Sequence, residues 1–302
     1  MDDDGRYTVI DPPPDRRFAM EAFAALPPSH PMVALLELDV TAAEQAITRL
    51  REQGTRVSLF ALLVRAIAGA IAAHPELNLV QHGRRFVRFE DVDVSVPVEV
   101  ETPHGRFPRE VVLRRAQHKS AVALFAELEQ ARTQHRRTGD IGAEDGGSRK
   151  LFRWLRFVPR FIRIALVRRM MADAFTIKRR AGTTLVTSVG KFAAVPGFGF
   201  ALMTGPRAAT FAIGTVSPRP WLHDGAIAVR SILGFAMIIN HDLVDGAPAA
   251  RFAVTLQQLV EHPDATLLGG GNNEPVADVA RPCAVVADDA ARARVHADAR
   301  TG

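Results

Sequence analysis

The sequence predicts an α/β fold, a mixed sheet flanked by helices, in one domain over residues 1–265. Strand-like and helix-like stretches mix along the 302 residues without the regular alternation that builds a parallel sheet. No glycine-rich turn of the dinucleotide-binding or Walker type joins a strand to a helix. The composition, 47% hydrophobic and 24% charged, is typical of a soluble globular protein that buries a core.

The N-terminal stretch predicts a helix, a strand and a second helix. Residues 16–26 form a helical candidate that ends at Pro27-Pro28, because a residue before proline avoids the helical region. Residues 32–40 alternate apolar and acidic side chains, which predicts a strand. Residues 41–52 follow as an amphipathic helix, and Thr41 is its expected cap, with Glu44 at the capping-box spacing.

The next stretch predicts the central helix and the middle of the sheet. Residues 57–73 carry one arginine among apolar and small residues, so we expect a helix buried on nearly all sides. Alternating patterns predict strands over 86–89, 92–100 and 107–114, and a helix over 120–133.

A basic insertion covers about residues 140–180. A polar, glycine-rich loop over 139–148 leads into a basic amphipathic helix over 150–175, interrupted at Pro159. Eleven Lys or Arg and one acid lie between Arg149 and Arg180, which exceeds the net charge of +5 for the whole chain. No zinc-finger spacing, RNP-like aromatic motif or basic heptad region accompanies this charge, so we expect no nucleic-acid partner.

The C-terminal part completes the sheet and ends in a tail. β-type stretches precede a helix over 247–261; they cover residues 183–188, 208–217, 226–229 and 233–239. Past Pro263 the composition turns to Gly, Asn, Ala, Asp and Arg, which predicts a largely disordered tail over 266–302.

Compartment signals favour the cytoplasm. The single Cys283 cannot form an intramolecular disulfide, and the acidic N-terminus lacks the basic start and apolar run of a signal peptide. No apolar stretch reaches the length of a membrane span.

The segment LGFAMIINHDLVDGAPAARF, residues 233–252, carries the candidate chemistry. An apolar strand delivers His241 to its end, a short turn carries Asp245 and Gly246, and a helix follows. A neutral imidazole in this position can accept a proton from a hydroxyl or a thiol. Asp245 can hold the turn or pair with an arginine, and Gly246 leaves room for tight backbone geometry.

This segment resembles the His-x-x-x-Asp-Gly motif of the superfamily that includes chloramphenicol acetyltransferase and the catalytic core of the dihydrolipoyl acyltransferases. Over residues 5–265 further segments match in the family's order: His30-Pro31, LLELDVTA, VSLFALLVRAIAGAIAAHPELN, FEDVDVSVPVEV, GTTLVTSVGKF and TGPRAATFAIGTVSPRP. The resemblance implies the CoA-dependent acyltransferase fold, with acyl-CoA as co-substrate and no metal. No lipoyl domain precedes the core, so we expect a stand-alone member without a covalently bound lipoyl group.

The resemblance also implies roles for single residues. His241 falls on the catalytic base, and Asp245 on the aspartate that forms a salt bridge to an arginine. Arg16 falls on that arginine's place, with Arg17 as the alternative. Asn240 departs from the family, because the dehydrogenase branch usually has Asp directly before the histidine.

An oxyanion donor and a trimer complete what the resemblance implies. Thr187 falls on the Ser or Thr that donates to the tetrahedral oxyanion, and Ser188 replaces it if the alignment slips by one. In this superfamily the site lies between the subunits of a homotrimer, with the base from one chain and the donor from the next.

The expected function is acyl transfer from a thioester to a thiol, hydroxyl or amine on a small or apolar acceptor. The alternative is a non-catalytic trimeric scaffold that docks on a membrane or partner assembly through residues 149–175. The basic helix has three open interpretations: a solvated face packed on a subunit, a membrane-surface helix, or an electrostatic funnel for CoA phosphates.

Simpler interpretations of the single residues also stay open. His241 can be a buried structural histidine, and Thr187 an ordinary strand residue. Metal binding by His241, Asp242 and Asp245 is disfavoured, because no further ligand motif is evident in the sequence.

Overall fold

A computed structural model describes residues 7–102, 105–138, 158–190, 195–202, 205–264 and 268. The predicted loop over 139–148, the first part of the basic helix and nearly all of the predicted tail over 266–302 lie outside these residues. In chain order the helices and strands are α1 (Pro14–Ala24), β1 (Pro31–Asp39), α2 (Thr41–Glu52), α3 (Leu59–Ala73), β2 (Leu79–His82), β3 (Arg85–Arg88), β4 (Val94–Thr102), β5 (Gly105–Leu113), α4 (Ala121–Thr138), α5 (Arg160–Met171), α6 (Ala174–Ala181), β6 (Thr184–Ser188), β7 (Ala209–His223), β8 (Ala226–Asn240) and α7 (Gly246–Glu261).

The main sheet is mixed, as the sequence predicts. Its six strands lie in the order β1-β8-β7-β6-β4-β5, and β2 pairs with β3 in a separate two-stranded sheet. Strand β6 runs parallel to β4 and β7, whereas the other neighbours are antiparallel.

The hydrophobic core lies between this sheet and helices α2, α3, α4 and α7. Helix α3 is buried along most of its length, as predicted, and Ser58 caps it by accepting a hydrogen bond from the Ala61 amide at 3.2 Å. Its one arginine, Arg65, is only 4% exposed. A Cβ on Gly69 would lie 2.8 Å from Arg65 Nη1, so the glycine leaves room for the guanidinium.

Residues 195–202 lie against part of the opposite face of the sheet, where backbones approach closely. A Cβ on Gly214 of β7 would lie 2.5 Å from the Gly197 carbonyl oxygen and 2.6 Å from that of Gly234 on β8. Real Cβ atoms do not approach oxygen this closely, so glycine is required here.

Some predicted boundaries are wrong. Thr41 does not cap α2, since Val40 occupies the cap position. The Thr41 hydroxyl accepts a hydrogen bond from the Ser231 amide of β8 at 2.9 Å instead, which ties the helix start to the sheet.

The β-type stretches 226–229 and 233–239 are one strand, β8. The basic helix also differs from its prediction, because α5 begins directly after Pro159 and ends at Met171. Asp173 then caps the start of a separate helix, α6. None of the helices in the described ranges has the length and apolar character needed to span a bilayer.

Candidate active site

Strand β8 delivers His241 to the edge of the sheet. The strand is buried from Ile232 to Asn240, and Asn240 pairs with Pro31 at the start of β1. The His241 amide donates to the His30 carbonyl at 2.9 Å, one step beyond that pair. Asn240 also closes the turn that follows. Its carbonyl accepts hydrogen bonds at 3.0 and 3.1 Å from the backbone amides three and four residues later.

Asn240 also fixes the turn through its side chain. It is 2% exposed, and its Oδ1 accepts a hydrogen bond from the Asp242 amide at 3.1 Å. The residue that departs from the family pattern therefore has a structural part in holding the backbone of His241.

The His241 side chain is accessible. It is 49% exposed, so the interpretation as a buried structural histidine is wrong for this chain. Its Nδ1 lies 3.7 Å from Oδ1 of Asp245, which stands at the N-terminal end of α7 with an 85% exposed side chain. At this distance the carboxylate interacts with the imidazole by charge rather than by a direct hydrogen bond.

The environment of Gly246, the first residue of α7, differs from the expectation. A Cβ there would meet nothing within 4 Å, and its φ is not positive, so the described chain shows no tight backbone approach.

The arginine predicted to pair with Asp245 does not reach it. Arg16 is exposed and forms no ion pair within the described ranges, and Arg17 turns back to Asp11 at 3.5 Å and to the Pro12 carbonyl at 3.0 Å. Helix α1, which carries both arginines, is tied to α5 by an ion pair between Glu21 and Arg163. Within this chain, Asp245 pairs with His241 instead.

Thr187 and His241 lie far apart in one chain. Thr187 on β6 is opposite Ala212 on β7, which is opposite Ala236 on β8. His241 follows five residues beyond Ala236, about 17 Å along the strand at roughly 3.4 Å per residue. The predicted base and the predicted oxyanion donor are therefore too far apart to act together on one substrate within a single chain.

Thr187 and Ser188 belong to opposite faces of the sheet. The register places Thr187 on the face of Ala212, which packs with Ala236 away from the helices. Ser188 lies beside Ile213, whose side chain belongs to the core under the helices. Because side chains alternate along a strand, only Thr187 lies on the face without core helices.

A second histidine and a carboxylate adjoin His241, and sequence reasoning missed them as a pair. His30 Nδ1 lies 2.8 Å from Oδ1 of Asp242, and the His30 amide donates to Oδ2 at 3.3 Å. The hydrogen bond from His30 holds the pKa of the Asp242 carboxyl below its usual value. The available signals were the aspartate directly after His241 and the histidine directly before β1, but 212 residues separate them.

A family profile matches most of the chain. The profile of the 2-oxoacid dehydrogenases acyltransferase (catalytic domain) matches residues 19–147 and 165–268. The dihydrolipoyllysine-residue acetyltransferase component of the pyruvate dehydrogenase complex of Zymomonas mobilis is 28% identical over 215 residues. That alignment covers 70% of this chain and 39% of the relative, so the chain spans well under half of the relative's length.

Solved structures share the fold. The dihydrolipoamide acetyltransferase of Azotobacter vinelandii is 20% identical with a TM-score of 0.63, covering 88% of this chain and 97% of that chain. The truncated catalytic core of the 2-oxoacid dehydrogenase multienzyme complex of Thermoplasma acidophilum is 17% identical with a TM-score of 0.62, covering 86% and 100%. The predicted α/β fold is therefore confirmed as that of these catalytic cores.

Proposed function

The chain belongs to the 2-oxoacid dehydrogenase acyltransferase (catalytic domain) family, and on that premise we propose that it transfers an acyl group from acyl-CoA. The acceptor is a thiol, hydroxyl or amine on a small or apolar molecule, and residues 1–265 form the catalytic domain. The observation that carries the proposal is the half-exposed His241, which β8 and the Asn240 turn hold at the sheet edge. We place the protein in the cytoplasm, as its single cysteine indicates.

The proposed reaction uses His241 as a general base. Its neutral imidazole takes the proton of the acceptor group as the acceptor heteroatom attacks the thioester carbonyl carbon. The carbon–sulfur bond of the tetrahedral intermediate then breaks, and the imidazolium returns the proton to the CoA thiolate. Asp245, 3.7 Å from the ring, stabilises the transient imidazolium by charge.

The oxyanion donor in this proposal comes from a second copy. Thr187 lies about 17 Å from His241 along the strands of its own chain, on the face without core helices. A homotrimer that sets the Thr187 face of one chain against the His241 edge of the next would complete the site. Removal of one oxyanion donor costs about 3 kcal/mol of transition-state stabilisation in another acyl-transfer enzyme.

The experiment measures free CoA released from acetyl-CoA in the presence of a panel of thiols and alcohols. We expect His241→Ala to lower kcat by at least about 10²-fold, because a positioned general base contributes about 10² to 10⁴. His223→Ala is the matched control: His223 lies beyond the other end of β8, at the β7–β8 hairpin turn, and this variant should keep wild-type kcat.

Two results would contradict this function. One is equal CoA release by wild type and His241→Ala, which would remove the base from the reaction. The other is binding of acetyl-CoA by both proteins with no turnover against any acceptor of the panel.

A membrane contact is the second candidate, and the outer face of α5 favours it. Phe161, Ile162 and Leu166 are 72%, 45% and 54% exposed, and Arg169 lies among them. Apolar side chains mixed with arginine are typical of helices that lie on anionic lipid. Phe161→Ser together with Leu166→Ser should then abolish co-sedimentation with phosphatidylserine vesicles. Unchanged sedimentation of this double variant would contradict the membrane contact.

A further inference from the structure

A cavity of about 430 Å³ lies between the end of α1, the end of α5 and the start of β7. Small-molecule sites in proteins fall in the range of about 300 to 1,000 Å³. Most of its lining is apolar. The lining includes Pro27, Pro28, Gln81, Arg168, Ala172 and Pro206.

Backbone hydrogen bonds hold the floor of this cavity in place. The Gln81 amide donates to the Pro206 carbonyl at 2.8 Å, and the Gly83 amide donates to the Ala172 carbonyl at 3.0 Å. The opposite wall is Pro27-Pro28, whose rings fix the backbone φ angles. The cavity is therefore built in advance of any ligand.

The wall supplied by α5 is anchored by an ion pair. Arg163 Nε donates to Glu21 Oε2 of α1 at 2.8 Å, and Nη2 of the same guanidinium pairs with the other carboxylate oxygen. Such a two-point arginine–carboxylate contact fixes direction as well as distance. Arg163 lies in the stretch 148–164 that the family profile leaves unmatched. The ion pair that anchors this wall thus includes one residue that lies outside the stretches matched by the profile.

The cavity adjoins the His241 turn on two sides. Pro28 lies two residues before His30, whose carbonyl accepts from the His241 amide at 2.9 Å. Pro206 lies two residues before Ala208, whose carbonyl accepts from the Asn240 amide at 2.9 Å. Two residues span at most about 7 Å, so both walls come within about 10 Å of the backbone that carries His241.

The charge of the cavity comes from one arginine. Arg168 lines it, and its Nη2 donates a long hydrogen bond of 3.3 Å to the Ala24 carbonyl. None of the described residues that line the cavity is acidic, and the nearby Glu21 is engaged by Arg163. An apolar hollow with one guanidinium at its wall suits a molecule with an apolar body and one carboxylate.

We propose that this cavity binds the acyl acceptor, an amphipathic carboxylate whose nucleophilic group points towards His241. The inference rests on the proposed acyl transfer and adds the acceptor's chemical class to it. The acceptor is assigned here because Arg163, which anchors the α5 wall, lies outside the residues that the family profile matches, whereas the acyl-CoA donor is what family membership implies.

The first test is binding, which does not require turnover. Octanoate and octan-1-ol are titrated calorimetrically against wild type, Arg168→Gln and the matched control Arg169→Gln, whose side chain does not line the cavity. We expect Arg168→Gln to weaken octanoate binding about five- to tenfold and to leave octan-1-ol unchanged, while Arg169→Gln changes neither. Ala172→Phe fills the cavity and should weaken both probes.

The second test is turnover with matched acceptors, 8-hydroxyoctanoate and octane-1,8-diol, with acetyl-CoA as donor. Arg168→Gln should raise KM for the hydroxy acid about five- to tenfold, with kcat and the KM for the diol unchanged. Equal effects of Arg168→Gln and Arg169→Gln, or unchanged binding in Ala172→Phe, overturn the site. Binding without any effect of Arg168→Gln on KM overturns its role for the acceptor. Specific binding of octanoate without turnover of the hydroxy acid overturns the acceptor role of the cavity, and no wild-type turnover of any acceptor in the panel overturns the proposed function and leaves a carboxylate site standing.

Discussion

Replacing Asp93 with asparagine should destabilise the junction that positions the strand of Thr187. The Asp93 side chain is 3% exposed and accepts from Arg114 Nη1 at 2.9 Å, Lys178 Nζ at 2.8 Å and the Arg115 amide at 2.9 Å. Its carbonyl accepts from the Thr183 amide at 2.7 Å, just before β6. An asparagine keeps one oxygen that can accept from the Arg115 amide. Its side-chain NH2 group, however, would face Arg114 and Lys178, which are themselves donors.

The expected loss follows from these contacts. Breaking a buried ion pair costs about 3 to 5 kcal/mol, and we take about 3 because the Arg114 side chain is 43% exposed. For a folded domain of about 250 residues, with an unfolding entropy of about 2.1 cal/mol/K per residue, that corresponds to a fall in Tm of about 6 °C. Circular dichroism melts at pH 7 and fixed protein concentration measure it. Asp224→Asn makes the same change on a 91% exposed side chain and should leave Tm unchanged.

The loss of stability caused by Asp93→Asn should depend on pH, because folding changes the pKa of Asp93. Burial works to raise the pKa of Asp93, but the hydrogen bonds from Lys178, the Arg115 amide and Arg114 outweigh it and hold the pKa below its usual value. A carboxyl with a lowered folded-state pKa stabilises the fold above its unfolded pKa of about 3.9 and loses that effect as pH falls. The Tm difference between wild type and Asp93→Asn should therefore begin to shrink as pH falls below about 4. A Tm difference that persists unchanged at pH 3, or one under about 2 °C at pH 7, would refute this reasoning.

Two further variants test the helix after the His241 turn and the turn itself. Phe252→Ala removes a fully buried ring 5.4 Å from the Phe211 ring and should cost about 3 to 5 kcal/mol in urea unfolding; a loss below about 1 kcal/mol would contradict the packing. Asp242→Asn weakens the pair with His30 and should lower kcat for CoA release several-fold with KM for acetyl-CoA unchanged, whereas an equal rise in KM would point to a binding role.

Local patterns in the sequence predict most elements of this fold, and the failures have physical causes. Apolar alternation and helical spacing are properties of neighbouring residues, so α3, β4 and α7 lie close to their predicted positions. The sequence predicts β8 as two strands, because Arg230 and Ser231 interrupt its apolar pattern. Arg230 pairs with Asp39 of β1 at 2.6 Å, so a long-range contact satisfies the polar side chain within the strand.

The site was predicted less completely than the fold, because its geometry depends on distant parts of the chain. The motif indicates His241, and the structure places it at an exposed edge. The motif does not show that Asp242 meets His30, which lies 212 residues away. Nor does it show that Thr187 lies on a different sheet face from Ser188, which follows from the pairing of β6 with β7. The roles of Thr187, Asp245 and Arg16 stay predictions.

The position of α5 has a consequence for how this scaffold can diverge. The helix packs on α1 and α6 rather than on the six-stranded sheet, and its ion pair to Glu21 is its charged anchor there. We therefore expect substitutions on the outer face of α5 to leave the strand register and the Asn240 turn intact. Changes at this edge of the domain and the geometry of the backbone that carries His241 can then vary independently.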